Sequence, residues 1–470
     1  MFYLYVNKIW NLSEIRLLIT YCLLSGNMLA QSSLNIELLD NWQDASLVAN
    51  SSNVRYNDCW GFVWKGQEYA VAGSTEGTHF FQITDNGHLI EVDTIMARFA
   101  NSSVIHRDIK IYKHYAYSVC DEGLSSLQII DFSNLPLSVT KVADLGGDFG
   151  RVHNLFIDSV RALLFACIIT PEIGGTLQST LPMRVYSLSD PLNPVLLYTG
   201  PGDIPEVHDA FVRGEMAYLN CGFDGLRVYD FTDPSAPIFK QNLSIYQDQG
   251  YNHQGWMTPD GSKYVFGDET SGKRLKKCTV GADQLLTIDK LFGSNYQNES
   301  VAHNVMLSNE FAFVAYYNEG LRIFDLRSTV PEEIAYYDTY PQSSPFNMNG
   351  AWGVYSDLPS GRILVSDRHN GLFLFDFRRS IFLHPTDELS IYPNPVAFGS
   401  SLLIRAPKEA TSFQIQLTDL HGKRVYEGLF LQQQYADLPI YLARGMYLLQ
   451  LTYENYLGDL VEQTARVSVQ

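Results

Sequence analysis

A short phrase of alternating apolar and polar residues recurs along this chain and predicts its organisation. In residues 224–237, an Asp-Gly pair is followed by Leu226, Val228 and Tyr229, and then by an Asp-Pro pair. Glycine suits a tight turn, and the alternation is typical of a half-buried strand. Because proline has no N–H, the strand must end before it. The phrase therefore predicts a turn, a strand and a second turn.

The phrase returns at intervals of roughly 45 residues, with two predicted strands before each copy and one after it. Five clear copies lie at residues 76–85, 122–132, 224–231, 319–326 and 370–377, and two degenerate copies lie at 183–191 and 285–289. Four antiparallel strands repeated seven times are typical of a β-propeller. Two or three β-sandwiches, the alternative all-β architecture, would not repeat one phrase in this way. The sequence predicts an all-β, seven-bladed β-propeller.

Two segments fall outside the repeat. The seventh unit lacks its fourth strand, and residues 34–42 form a lone strand pattern that we expect to complete this blade and leave no open edge. From residue 389 the pattern changes to alternating strands with Gly turns, which predicts a small Ig-like β-sandwich. The predicted domains are a propeller over residues 31–383 and a sandwich over residues 387–470.

Composition and the N-terminal segment suggest an exported protein. The formal charge of −18 argues against a nucleic-acid partner, because phosphate binding needs basic surface. Lys8 and Arg16 precede an apolar run over residues 17–24, and Ala30 offers a small-residue cleavage point, so residues 1–30 read as a signal peptide. The run is well short of the roughly 20 residues that span a bilayer. We therefore expect no transmembrane span in the mature chain.

The cysteines do not predict a disulfide scaffold. Five remain beyond the signal segment, and an odd number leaves at least one thiol free. No Cys-x-x-Cys pair is present, which argues against a thiolate zinc site.

The C-terminal module resembles the type IX secretion sorting domain of Bacteroidetes proteins. The resemblance rests on Tyr392-Pro393-Asn394-Pro395 and on residues 419–423 and 445–448. It implies that the type IX secretion machinery is a partner of residues 387–470. It also implies export through the periplasm and across the outer membrane, followed by attachment at the cell surface or release.

The repeat region resembles the choice-of-anchor B family, whose propellers are built of LVIVD-type repeats. The phrases that carry the resemblance lie at residues 58–62, 103–110, 253–258, 267–269, 338–341 and 349–352. The family is named for its variable C-terminal anchors, with which a sorting module agrees. It carries no established activity, so the resemblance implies a fold and a location.

Histidines recur at the start of the first strand of five units. The first strand of a propeller blade lines the central channel, so we expect these side chains to converge at one mouth: His106, His153, His208, His253 and His303. Polar residues follow them, among them Asp108, Asn154, Asp209 and Asn304. Units one and seven carry Asp58 with Trp60, and Trp352, in this place.

Three interpretations of these residues remain open. Imidazoles and carboxylates around a channel are able to bind a divalent metal at the propeller axis or a polar ligand, or to serve acid–base catalysis. Alternatively, they satisfy backbone groups and channel waters. Asp268 and Glu269, before a longer loop at 270–274, are further candidates or a simple acidic turn. Nearby basic residues read as a solvated face: Lys273, Arg274, Lys276 and Lys277.

No catalytic signature accompanies these residues, since the chain has no GxSxG, HExxH, Walker or EF-hand sequence. We therefore interpret the protein as a secreted or surface module that binds an unidentified extracellular ligand or protein. The alternatives are a metal-dependent hydrolase or lactonase-like enzyme using the channel histidines, and a structural surface protein without a ligand.

Overall fold

The computed structural model describes residues 33–294, 300–341, 348–377, 389–407, 410, 412–431, 435–454 and 460–470. The predicted signal peptide at 1–30 lies outside this part of the chain, as does the connection between the two predicted domains at 378–388. The described residues are organised in antiparallel sheets, and their only helical element is a short 3-10 turn at Gly147–Phe149.

Two N-terminal strands precede the repeated sheets: β1 (Ser33–Leu34) and β2 (Ile36–Trp42). The first three sheets, which we call blades 1 to 3, then follow in chain order. Blade 1 comprises β3 (Tyr56–Trp64), β4 (Gln67–Ser74), β5 (Gly77–Ile83) and β6 (Leu89–Met96). Blade 2 comprises β7 (Arg107–Tyr112), β8 (Tyr115–Cys120), β9 (Leu127–Asp131) and β10 (Thr140–Leu145). Blade 3 comprises β11 (Arg151–Asp158), β12 (Leu163–Thr170), a small hairpin of β13 (Glu172–Ile173) and β14 (Thr176–Leu177), then β15 (Leu181–Ser187) and β16 (Val195–Thr199).

Blades 4 to 7 continue the same order. Blade 4 comprises β17 (Asp209–Arg213), β18 (Met216–Asn220), β19 (Leu226–Asp230) and β20 (Ile238–Leu243). Blade 5 comprises β21 (Asn252–Met257), β22 (Lys263–Asp268), β23 (Leu275–Val280) and β24 (Leu286–Phe292). Blade 6 comprises β25 (Val305–Leu307), β26 (Phe311–Ala315), β27 (Leu321–Asp325) and β28 (Glu332–Tyr337). Blade 7 contains β29 (Ala351–Tyr355), β30 (Ile363–Asp367) and β31 (Gly371–Phe377).

The blades form a ring because each buries both of its faces against its neighbours. Their first strands are neighbours in a closed cycle, from β3 through β7, β11, β17, β21 and β25 to β29 and back to β3. An apolar cluster lies between each adjacent pair. Members from the two blades include Val71 with Ile130, Val119 with Leu164, Phe165 with Leu219, Tyr218 with Phe266, Val265 with Phe324, Phe313 with Phe375, and Leu374 with Phe81. The prediction of an all-β propeller is confirmed.

The N-terminal strands join the ends of the ring. Strand β2 pairs antiparallel with β31, from Ile36 opposite Phe377 to Trp42 opposite Leu372, and supplies the fourth strand of blade 7. Just before it, β1 pairs with β28 of blade 6. Asn35, between the two strands, has a φ of 58° and donates its side-chain amide to the carbonyl of Ile334 at 2.6 Å. The N-terminal segment thus pairs with two successive blades.

The glycine of the repeated turn has a packing role as well as a conformational one. Gly225, Gly320 and Gly371 have φ values of 84°, 75° and 90°, in the left-handed region that favours glycine. A Cβ added to any of them would overlap a carbonyl oxygen of the neighbouring outer strand, namely that of Leu243, Tyr337 or Trp42. In blade 7 the carbonyl belongs to the N-terminal strand, so the turn is shaped to accept it.

The C-terminal module has its own core between two sheets. One sheet contains β32 (Ser390–Tyr392), β33 (Ser401–Arg405) and β36 (Tyr435–Pro439). The other contains β34 (Phe413–Asp419), β35 (Arg424–Phe430), β37 (Gly445–Glu454) and β38 (Leu460–Val469). Side chains that alternate along these strands, such as Ile415, Leu449 and Val467, fill the space between them.

Two observations bear on the environment of the chain. The five cysteines beyond the signal segment are all buried and free. Within the described residues, no helix is long and apolar enough to cross a membrane.

Ring closure predicts a specific sensitivity at Gly371. Gly371→Ala should destabilise the propeller by more than about 3 kcal/mol, since it adds a clash with Trp42 to the cost of about 1–2 kcal/mol for a left-handed alanine. Gly214→Ala is the matched control, because Gly214 also has a positive φ, of 58°, but a Cβ there meets open space. Urea denaturation of both variants measures the difference, and equal losses would contradict the packing role.

Candidate functional site

Six aromatic side chains from blades 2 to 7 form a closed ring around the propeller axis. We call it the axial ring, and its members are His106, His153, His208, His253, His303 and Trp352. Successive ring centroids lie 4.0, 4.4, 4.1, 4.3 and 4.2 Å apart, and Trp352 closes the circle 5.4 Å from His106. The structure therefore brings all five predicted histidines together.

Backbone irregularities help to aim two members of the axial ring. The pairing of β21 with β22 shifts register between Asn252 and Gln254, and that of β29 with β30 shifts between Ala351 and Gly353. His253 and Trp352 lie at these shifts. A local bulge is a common way to redirect a side chain near a functional site.

Hydrogen bonds from the axial ring tie each blade to the next. The Nδ1 atoms of His208, His253 and His303 lie 3.0, 3.1 and 2.6 Å from the backbone carbonyl oxygens of His253, His303 and Trp352. A carbonyl can only accept a hydrogen bond, so each Nδ1 carries the proton. In a neutral imidazole the Nε2 atom is then an unprotonated acceptor. His106 makes the corresponding bond through Nε2, 2.5 Å from the carbonyl of His153.

Most of the axial ring is uncharged. Burial, reinforced by the neighbouring His153, lowers the pKa of His106 to about 3. Burial also lowers the pKa of His253, and it lowers the pKa values of His208 and His303 well below the usual range. Neutral imidazoles can stack at this spacing, whereas several charged imidazoles would repel each other.

His153 differs because it has a carboxylate partner. Its Nδ1 lies 2.6 Å from Asp121. Burial opposes the charged imidazole, but the hydrogen bond and charge of Asp121 outweigh it and raise the pKa of His153. Beside this pair, burial and the charge of Asp121 raise the pKa of Glu122 to about 8.

Polar side chains gather on one side of the axial ring. The first and second strands of each blade are antiparallel. The start of the first strand and the end of the second therefore lie at the same end of the propeller. The residues following the second strand meet there, and we call this group the mouth: Asp121, Glu122, Glu269, Tyr317 and Arg368. The Tyr317 hydroxyl donates to Glu269, and the Arg368 guanidinium lies 4.6 Å from the centroid of Trp352. The carboxylates here are partly exposed, 27% for Asp121 and 16% for Glu269, whereas Tyr317 is buried.

A small polar cavity of about 20 Å³ lies on the other side of the axial ring. Its walls include Asp58, Lys110, Asn154, Asp209 and Asn304. The Lys110 ammonium is bonded to Asp108 and lies 3.7 Å from Asp58. Burial raises the pKa of Asp209 to about 7 and that of Asp58 well above its usual range. The volume is sufficient for a water molecule or two.

Aromatic side chains, among them Trp60 and Trp256, line the same cavity and pack against one another around it. Trp60 lies 4.9 Å from Tyr355 and 6.1 Å from Trp256, measured between ring centroids, and Phe211 lies 4.8 Å from Trp256. The sequence grouped Trp60 with the histidines, but it lies in this cluster instead. The pairing of β3 with β4 shifts register between Tyr56 and Cys59, so Asn57 and Asp58 occupy the inner positions. Blade 1 therefore contributes no aromatic residue to the axial ring.

The structure separates the roles of Asp268 and Glu269. The Asp268 carboxylate forms an ion pair with Lys276 in which both side chains are 0% exposed, and it accepts a hydrogen bond from Tyr246 at 2.8 Å. Glu269, the next residue, faces the mouth. The expectation of a solvated basic face is wrong for Lys276, because the lysine compensates the buried charge of Asp268.

Among the described residues, one group of three side chains is close enough to hold a metal ion: His253, Glu269 and His303, whose ligand atoms lie within 4.8 Å of one another. Two of the predicted histidines thus meet a predicted carboxylate. Sequence reasoning missed Tyr317 and Arg368, which lie just before the repeated phrase at 319–326 and 370–377 and outside it. Their signal was positional, since both follow the second strand of a blade.

The interblade hydrogen bonds predict that a hydrogen-bond donor at position 208 contributes more to stability than an aromatic ring does. His208→Asn keeps a donor at the place of Nδ1, whereas His208→Leu leaves the carbonyl of His253 buried and unpaired. We expect the leucine variant to be less stable than the asparagine variant by about 1–3 kcal/mol in urea denaturation. Equal stabilities would contradict this role.

The raised pKa of Asp209 predicts a pH-dependent stability. The folded protein holds this proton up to about pH 7, whereas an unfolded aspartate loses it near pH 4, so this contribution to stability falls as pH rises through that window. Asp209→Asn removes the titration. Relative to the wild type, the variant should gain about 1–3 kcal/mol of unfolding free energy between pH 5 and pH 8. An unchanged difference between the two proteins would refute the assignment.

Comparison with known families identifies two regions of the chain. Residues 390–459 match the secretion system C-terminal sorting domain, which covers most of the C-terminal module. Residues 301–339 match the LVIVD repeat and include the four strands of blade 6. Comparison with curated proteins gives no match.

Several solved structures are similar to the chain. PorZ, described as an essential bacterial surface component of the type-IX secretion system of Porphyromonas gingivalis, is 11% identical with a TM-score of 0.48, and the match covers 91% of this chain and 61% of PorZ. The extracellular domain of a one-component system from B. thetaiotaomicron is 10% identical with a TM-score of 0.44, covering 92% and 59%. A β-propeller domain from Myceliophteria thermophila is 10% identical with a TM-score of 0.47, covering 72% and 99%. The chain thus spans less than two thirds of the length of the first two.

The sorting domain confirms the expected destination, which is the cell surface or the exterior after export by the type IX secretion machinery. It also confirms this machinery as a partner of the C-terminal module. The chain is therefore an exported β-propeller protein that carries an LVIVD repeat and a C-terminal type IX sorting domain.

Proposed function

We propose that this protein is a binding module that takes a small polar ligand at the mouth of its propeller. The observation that carries the proposal is the convergence of polar, partly exposed side chains from blades 2, 5 and 7 above the axial ring, with the buried Tyr317 of blade 6 bonded to one of them. In this proposal residues 31–383 form the binding propeller, related to the choice-of-anchor B family. Residues 387–470 deliver it, and residues 1–30 start its export.

The mouth has features that suit a ligand with ammonium or hydroxyl groups. Asp121, Glu122 and Glu269 supply acceptors, and Arg368 supplies donors. Phe223, 75% exposed, lies 5.2 Å from Tyr251, whose ring contacts His208 at 5.4 Å. An aromatic surface beside charged groups allows a ligand to stack as well as to form hydrogen bonds.

Binding accounts for the mouth better than the two alternatives do. A hydrolase or lactonase-like enzyme using these histidines has no catalytic sequence signature to support it. A purely structural role explains the interblade bonds of the histidines and the buried Asp268–Lys276 pair. It gives no reason for carboxylates and a guanidinium to meet at a partly exposed mouth.

A thermal-shift screen of the purified full-length chain tests the proposal. The compounds are polyamines, amino acids and monosaccharides, and the variants are Glu269→Gln and Arg368→Gln. Lys240→Gln, on the outer strand β20, is the control. We expect a compound that raises the melting temperature of the wild type and of Lys240→Gln, and that loses at least a tenfold factor in affinity with either mouth variant. A compound that binds all four proteins equally, or no binding at all, would count against the mouth.

A further inference from the structure

We propose that His253, Glu269 and His303 form a binding site for a divalent ion of the zinc class. The site lies at the mouth, and a role for the ion in anchoring the ligand rests on the proposed function. Ion binding itself does not, because it can be measured with zinc alone. Three independent features of the structure support the site: the spacing of the ligand atoms, the tautomers of the histidines and the orientation of the carboxylate.

The spacing brings three suitable ligands together. Their ligand atoms lie within 4.8 Å of one another, and the Nε2 atom of His253 is 3.8 Å from a Glu269 oxygen. Tetrahedral zinc with bonds of about 2.1 Å needs ligand atoms about 3.4 Å apart, so the side chains need to close by about 1.4 Å at most. Two imidazoles and one carboxylate form a familiar zinc ligand set, whereas calcium and magnesium prefer oxygen ligands throughout.

The tautomers of both histidines are fixed in the form that a metal requires. Nδ1 of His253 donates to the carbonyl of His303, and Nδ1 of His303 donates to that of Trp352. Nε2 therefore carries the lone pair in each ring. Histidine ligands of metal ions usually donate the other ring N–H to a carbonyl or carboxylate, which holds the ring in place. The interblade bonds thus also orient metal ligands.

The carboxylate is oriented as well. The Tyr317 hydroxyl donates to one Glu269 oxygen, and the other oxygen is the one nearest His253. Glu269 is only 16% exposed, so it is partly desolvated yet remains accessible from the mouth. A fourth ligand position facing the mouth would be open to water or to a ligand, as in zinc sites with three protein ligands. Arg368 is the cation facing this group, and the carboxylates of Glu269 and Asp367 interact with its charge.

The other ring histidines lack one of these features. His208 has the same fixed tautomer, but among the described residues it belongs to no group of three metal-binding side chains. His106 uses Nε2 for its interblade bond, and His153, whose Nδ1 is bonded to Asp121, also belongs to no such group among the described residues. His208 is therefore the matched control for His303.

Zinc binding to the purified full-length chain tests the inference. Protein stripped with a chelator is titrated with zinc chloride, and calorimetry and elemental analysis report affinity and stoichiometry. Substitution by Asn keeps the Nδ1-like donor and removes Nε2, so His303→Asn and His208→Asn preserve the interblade bond equally. We expect one zinc per wild-type chain, a loss of at least about 100-fold in affinity for Glu269→Gln and His303→Asn, and retention for His208→Asn. Circular dichroism confirms that each variant is folded.

Three outcomes would overturn the inference: no stoichiometric zinc in the wild type, zinc retained in both Glu269→Gln and His303→Asn, or equal losses in His208→Asn and His303→Asn. Repeating the compound screen with zinc and with chelator separates this inference from the proposed function. Compounds that bind without any zinc uptake would sink the metal site alone. Zinc uptake without any compound binding would sink the proposed ligand and leave the metal site standing.

Discussion

The structure depends on closure of the ring, because every blade needs a neighbour on each face. Apolar side chains on both faces of the sheets make each blade an unstable element alone, and the seven interblade clusters bury them only when the cycle is complete. Strand β2 supplies the missing strand of blade 7, and the turn at Gly371 has the shape that admits it. The repeated turn thus contributes to closure as well as to the geometry of one hairpin.

Closure of the propeller also determines where polar side chains lie along its central channel. Each blade presents only its first strand to the axis, so one position per blade is repeated around a narrow channel. Five histidines and Trp352 fill this position, and their bonds to neighbouring carbonyls extend the contacts between blades inward to the axis. Beyond them, a polar cavity and an aromatic cluster occupy the channel. The mouth then offers partly exposed polar side chains from several blades to a ligand.

The repeat allowed the sequence to predict a great deal of this architecture, because a turn glycine and alternating strand residues leave a local pattern. The all-β propeller, the LVIVD repeat and the sorting module are confirmed, and residues 36–42 pair where the lone strand was expected. The convergence of the histidines also followed from their shared position. Whether they serve a ligand remains a prediction.

The features that the sequence did not reveal share one physical cause, because each depends on contacts between segments that are distant in the chain. The location of Trp60 follows from a register shift in β3 that no local residue signals. Lys276 is buried because Asp268 faces it across the sheet, although in the sequence it belongs to a basic run. Tyr317 and Arg368 join Glu269 only when blades 5, 6 and 7 are assembled. Patterns within one blade can be recognised in the sequence, whereas contacts between side chains of different blades cannot.

In His253 and His303 the two ring nitrogens have different roles. Nδ1 stabilises the fold, and Nε2 is available to bind a ligand. Nδ1 of His253 and His303 bonds a carbonyl that would otherwise be buried without a partner, so the fold alone is a sufficient reason for a histidine there. That same bond leaves Nε2 unprotonated and held in place. Asparagine would satisfy the carbonyl equally, so stability by itself does not require an imidazole. What distinguishes His253 and His303 from a simple interblade contact is Glu269, whose carboxylate lies 3.8 Å from the free Nε2 of His253 and groups with both histidines.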